Sequence, residues 1–176
     1  MILPSPNIIE MNNMNNIMIT YNRLAAVEYA KKWAFKRNPK YFDFTQLGGN
    51  CTNYVSQCLV AGGMPMNYNY PLGWFFRSVN DRAAAFTGVQ YFYNFLTRNA
   101  KSRGPSAIEV DVENAQLGDI IQLSFDGESF SHAAIIVKIN GDNPLLAANT
   151  YDVLYKPLLS YFFQKIRVLH IIGAYP

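Results

Sequence analysis

The chain has 176 residues, half of them apolar, with fifteen basic and twelve acidic side chains and a formal charge of +3. That length and apolar content suit one globular domain with a real core. The charges form no long block, which argues against a dedicated nucleic-acid binder, while twelve Tyr, twelve Phe and two Trp suit either a core or a groove facing carbohydrate or peptide.

The first residues, MILPSPNIIEMNNMNNIMIT, are rich in Asn and Met and show neither a basic leader nor a sustained apolar run. They are expected to form an arm over 1–20, with the domain proper spanning 21–176. No window approaches the roughly eighteen apolar residues of a membrane span, so a soluble protein is expected, cytoplasmic by default. From Tyr21 to Lys36, apolar residues at Leu24, Val27, Ala30 and Ala34 fit an amphipathic helix that ends before Asn38-Pro39.

The next segment, GGNCTNYVSQCL over 48–59, holds both cysteines of the chain. Val55, Cys58 and Leu59 recur at helical spacing from Cys51 and Tyr54 after a glycine-rich turn, so a helix starts at or near Cys51. Cys51 and Cys58 then lie about 10 Å apart along the axis, too far for a disulfide. Two Cys and two His without a closely spaced ligand pair also disfavour a metal site. Cys58, two turns in, reads as a small buried hydrophobe. Cys51 sits where unpaired backbone N–H groups and the positive helix end are expected to favour a thiolate and to stabilise an oxyanion. Gly48 and Gly49 would allow a substrate to approach the backbone closely.

The segment AGGMPMNYNYPLGWFFRS has no periodicity and reads as a long loop, with Tyr68 and Trp74 as candidate groove residues. A further helix is expected over Thr87–Asn99, capped by Thr87. Strands follow over 107–112, 119–125, 131–139, 144–150 and 167–175. Helices first and antiparallel strands after is an α+β pattern. Asn140-Gly141 between apolar runs signals a hairpin. A two-residue turn sets His132 opposite Asn149, and a four-residue loop makes them diagonal neighbours on the same face; only an odd shift would separate them. His132 could then serve as a base, with Asn149 hydrogen-bonded to its ring, in the nucleophile, base and orienter logic of a Cys-His-Asn site. His170, in a final apolar run, reads as a packed histidine. Asp119 reads as a turn residue opening a strand, and Gln46 as a candidate side-chain donor to an oxyanion.

These motifs, from YNRLAAVEYAKKWAFKRNPKYFDF through GGNCTNYVSQCLVAGGMPM and GWFF to LGDIIQL, SHAAIIV and AANTYD, resemble an amidase domain family of bacterial proteins within the papain-like superfamily. The resemblance implies a papain-like α+β fold, with N-terminal helices packed on a C-terminal antiparallel sheet. It also implies cysteine-dependent hydrolysis of an amide in a peptide or peptidoglycan-like substrate, without metal or organic cofactor. Carried over, Cys51 is the nucleophile, His132 the base and Asn149 the third member. Two positions depart from the family pattern: Asn50 stands where an Asp is typical, and Asn149 where a second His is usual. Asparagine can orient an imidazole but does not ionise. These departures keep open two alternatives, an acyltransferase using the same triad and an inactive glycopeptide-binding module.

Overall fold

The computed structural model describes residues 18–99 and 101–176; the arm expected over 1–20 lies outside these residues up to position 17. At its described end, Ile19 exchanges two backbone hydrogen bonds with Ala174, at 2.7 and 3.0 Å. The element order is α1 (Arg23–Trp33), α2 (Cys51–Ala61), β1 (Phe76–Ser78), β2 (Asp81–Arg82), α3 (Ala84–Thr87), α4 (Val89–Arg98), β3 (Gly104–Val110), β4 (Ile120–Ser124), β5 (His132–Lys138), β6 (Leu145–Ala148), β7 (Val153–Pro157) and β8 (Lys165–Tyr175). β1 and β2 pair with each other; the rest form a six-stranded sheet in the order β3-β8-β4-β5-β6-β7, each neighbouring pair antiparallel. The fold is α+β, as the chain order of helices and strands predicts.

α1 begins where Asn22 accepts a hydrogen bond from the Ala25 N–H through its side chain, the usual device for an orphan donor of the first turn. α2 is the central helix, with every residue from Cys51 to Leu59 buried. The two helices are tied by the Tyr54 hydroxyl, which donates to the Ala30 carbonyl at 2.6 Å. Gly62 ends α2 against Tyr21; a Cβ there would stand 2.3 Å from the Tyr21 ring, so no larger residue fits without movement.

The middle of the sheet is buried on both faces. Ile120, Ala133, Ile135, Ala147 and Leu169 join the helices in one core with Tyr54, Trp74 and Phe86. Ile121, Ala134, Ile136, Leu146 and Val168 form a second core on the other face, closed by Leu158. Two-sided burial explains why β4 and β5 read as near-continuous apolar runs rather than alternating ones.

Three expectations are corrected. Trp74 is not a groove residue: it is fully buried, and its indole N–H donates to the Ser56 hydroxyl at 3.0 Å. Thr87 does not cap α4; it ends the short α3, whose last turn is closed by the Gly88 N–H on the Ala84 carbonyl, and the chain enters α4 from extended backbone at Gly88. The β5–β6 hairpin opens in the register of the four-residue loop and then leaves it. Lys138 pairs with Leu145, but Ile136 pairs with Leu146 and Ile135 with Ala147, so β5 carries a bulge between Ile136 and Lys138. One extra residue is an odd shift, and it exchanges the faces of everything that follows.

Candidate active site

Cys51 opens α2; its sulfur stands 3.9 Å from the Thr52 hydroxyl oxygen, and the backbone N–H groups of Cys51, Thr52 and Ala133 around it favour the thiolate. Two come from the helix start, where the first turn has no internal partners for its donors, and the third from β5. These three dipoles favour negative charge at the sulfur. Burial opposes them and prevails: it raises the Cys51 thiol above its ordinary pKa. The expected lowering of the Cys51 pKa by the helix end is therefore corrected, because desolvation outweighs the dipoles. Cys58 is fully buried within α2 and its pKa is raised well above the ordinary value by the same cause; it is packing, as the sequence predicts.

His132, the first residue of β5, lines the same pocket as Cys51. Its ring sits between those of Phe125 and Tyr161, at centroid distances of 6.1 and 5.8 Å. Among the described residues its Nε2 is buried without a hydrogen-bond partner. Burial, helped by the nearby Lys156 cation, lowers its pKa to about 4. The imidazole is accordingly neutral at pH 7 and able to accept a proton. The pocket has a volume of about 470 Å³ and is walled by Gly48, Gly49, Phe125, Thr150, Tyr151 and Tyr161, among others, within the usual size of a small-molecule site. Gly48 and Gly49 have φ of +97° and +107°, a region closed to most side chains. A Cβ on Gly49 would stand 3.2 Å from the Thr150 hydroxyl, so this turn holds glycine for conformation and for space.

Asn149 does not meet His132. The bulge in β5 leaves Ala133, Ile135 and Ala147 together on the helix face of the sheet, and the Asn149 side chain, two residues beyond Ala147, points to the helices. There its amide nitrogen donates to the carbonyls of Ala34, at 2.9 Å, and Trp33, at 3.3 Å. Its amide oxygen accepts from the Asn50 side chain at 3.1 Å. Asn50 in turn accepts from the Phe44 N–H at 3.1 Å and from the Asn53 side chain at 2.8 Å. Its own N–H donates to the Thr150 hydroxyl at 2.6 Å. The two positions that depart from the family pattern thus bond to each other. They form an uncharged strut joining the start of α2 to the end of β6 and to α1, and Asn149 is corrected from orienter of the imidazole to anchor of the cysteine helix.

The remaining expected residues fall outside the pocket. Gln46 is exposed on the turn before Gly48. Tyr68 is about half exposed and lies against Phe75 and under the Arg77 guanidinium. His170 and Asp119 make a separate cluster: Asp119 has no exposed side-chain surface and bonds Arg23 at 2.6 Å and His170 Nδ1 at 2.9 Å. It also accepts from the Gln116 and Ile171 N–H groups. Asp119 does precede a strand, but it is the hub of a buried lock between α1, β4 and β8. Lys156, Tyr161 and Phe125 were not singled out by sequence reasoning; they reach the pocket only through the sheet order and carry no local motif. Among the described residues no group of three or more His, Cys, Asp or Glu side chains is arranged to hold a metal, and no helix is long and apolar enough to cross a membrane.

This arrangement of helices, antiparallel sheet and cysteine-bearing pocket coincides with a family match over residues 20–172 to the family described as "Putative amidase domain". The chain belongs to that family. It is 40% identical over 162 residues to "Uncharacterized protein YhbB" of Bacillus subtilis (strain 168), covering 83% of this chain and 50% of that one. It is 27% identical over 119 residues to "Uncharacterized protein YjcM" of the same organism, covering 64% of this chain and 26% of that one. The chain thus spans half or less of the length of these relatives. No solved structure matches it.

Proposed function

We propose that the protein hydrolyses an amide bond through a thioacyl-enzyme on Cys51, with His132 as general base and general acid, in the manner of papain-like enzymes. The observation that carries this reading is that Cys51 and His132 share one pocket, with the imidazole Nε2 buried and unpartnered. A resting thiol that shares a pocket with a neutral imidazole requires that the proton move as the sulfur attacks. His132 takes the Cys51 proton while the sulfur bonds to the carbonyl carbon and the C=O pair moves to oxygen. The negative charge that develops on the carbonyl oxygen is held by the Cys51 backbone N–H at the start of α2 and by a neighbouring donor. The C–N bond then breaks as His132 returns its proton to the leaving amine. Water, deprotonated by His132, adds to the thioester, and the C–S bond breaks to release the acid and restore the thiol.

The test is incubation of the protein with a peptide library and with peptidoglycan fragments, read by mass spectrometry beside Cys51→Ala and His132→Ala. Products formed by the parent and absent from both variants are expected, with a covalent acyl adduct on Cys51 at short times. Identical products from all three proteins would sink the reading.

A further inference from the structure

The charge in the pocket belongs to Lys156. It is the one cation lining the cavity that holds Cys51 and His132, and no acidic side chain lines that cavity among the described residues. Lys156 stands on β7, an edge strand of the sheet, and its ammonium lies over the Tyr161 ring at 3.9 Å from the centroid. That ring also flanks His132, so the aromatic side chain holds the cation and the base beside one cavity. No salt bridge reaches Lys156 among the described residues; the nearby Asp152 is taken by Arg37 at 2.9 Å. A lysine without a counter-ion, partly buried beside an acid-free cavity, leaves its charge to whatever enters. The proximity is felt within the site, since the Lys156 charge adds to burial in keeping His132 unprotonated. Walls formed by Phe125, Tyr151, Val153 and Tyr161 would hold the apolar remainder of a ligand.

From this the geometry points to an amide substrate that carries a free carboxylate close to the scissile bond, with Lys156 as the residue that selects it. This rests on the hydrolase reading for the word substrate, but the selectivity can be measured without turnover. Alkylation of Cys51 by iodoacetate and by iodoacetamide compares a carboxylate with its neutral amide at the reacting sulfur. The ratio of the two rates, divided by the same ratio for a small free thiol, removes intrinsic reactivity. Cys58, with no exposed surface, is followed separately by peptide mapping. A cation within contact distance of the bound carboxylate is worth about 1 kcal/mol or more in a wet site, which makes the normalised ratio roughly fivefold in favour of iodoacetate. Lys156→Met is expected to bring the ratio to one or below, and Lys156→Arg to restore it. Circular dichroism and the iodoacetamide rate identify a variant that fails to fold, in which case the Arg variant and the parent alone decide. A parent ratio near one, or a preference that survives in a folded Lys156→Met, overturns the carboxylate assignment and leaves the nucleophile standing. A Cys51 that reacts with neither reagent overturns both readings together.

Discussion

Acid should destabilise this protein through His132 before it titrates most of its carboxylates. The ordinary histidine pKa is 6.5 and burial with the Lys156 charge lowers that of His132 to about 4. An unfolded chain therefore binds the imidazole proton near pH 6.5 and the folded chain only near 4. Between those values the unfolded state holds more protons, so stability falls as pH falls, and below about 4 the loss is complete. At about 1.4 kcal/mol per pH unit, the gap corresponds to about 3 kcal/mol lost between pH 7 and 4. That is a large share of the stability of an ordinary domain, typically about 5–15 kcal/mol. The assay is urea denaturation at pH 7, 5.5 and 4 for the parent and for His132→Gln, which keeps a polar side chain but does not titrate. The variant is expected to lose about 3 kcal/mol less than the parent across this range, whatever its stability at pH 7. Parallel loss in the two proteins would refute the claim that the imidazole is buried neutral, and with it the base assigned to the site.

Two further outcomes separate structural from chemical roles. Asn149→Ala leaves the Trp33 and Ala34 carbonyls and the Asn50 amide without the partner they have in the parent, which should cost about 2–4 kcal/mol in urea denaturation; the pH profile of Cys51 alkylation should keep its acid limb, whereas an orienter of His132 would move it. Asp119→Ala removes the hub that holds Arg23, His170 and two backbone N–H groups and should cost about 3 kcal/mol or more, while Cys51 alkylation per folded molecule stays at the parent rate.

The helices, the start of α2 at Cys51 and the order of the strands are legible because each rests on local pattern: apolar spacing near 3.6 residues, a glycine turn, an apolar run broken by Asn-Gly. The nucleophile and the base follow from the same signals. What sequence spacing could not show is the bulge in β5, since Val137 looks like any other apolar strand residue, yet it decides that His132 and Asn149 face opposite sides of the sheet. Trp74 was ambiguous for a related reason: an aperiodic loop gives no face, and only the position of Ser56 on α2 turns its indole inward. The Asp119, Arg23 and His170 cluster gathers residues 51 to 147 positions apart, and Lys156 reaches the pocket across β6 and β7. Such meetings depend on sheet order, which no short motif encodes. The raised pKa of Cys51 is not legible in the sequence, because a dipole is local and can be read from a helix start, whereas burial is a property of the whole core.

The rung between Ile19 and Ala174 makes the described domain a closed loop in all but its covalent bonds. Segments joined at either end would leave from a single corner, and pulling them apart would load two hydrogen bonds rather than strain the whole sheet. Such a unit can be spliced into a host chain between two neighbouring points, or joined end to end and opened elsewhere. The exposed turn around Gly141 is the natural place to cut, because it lies between β5 and β6, outside the paired strands.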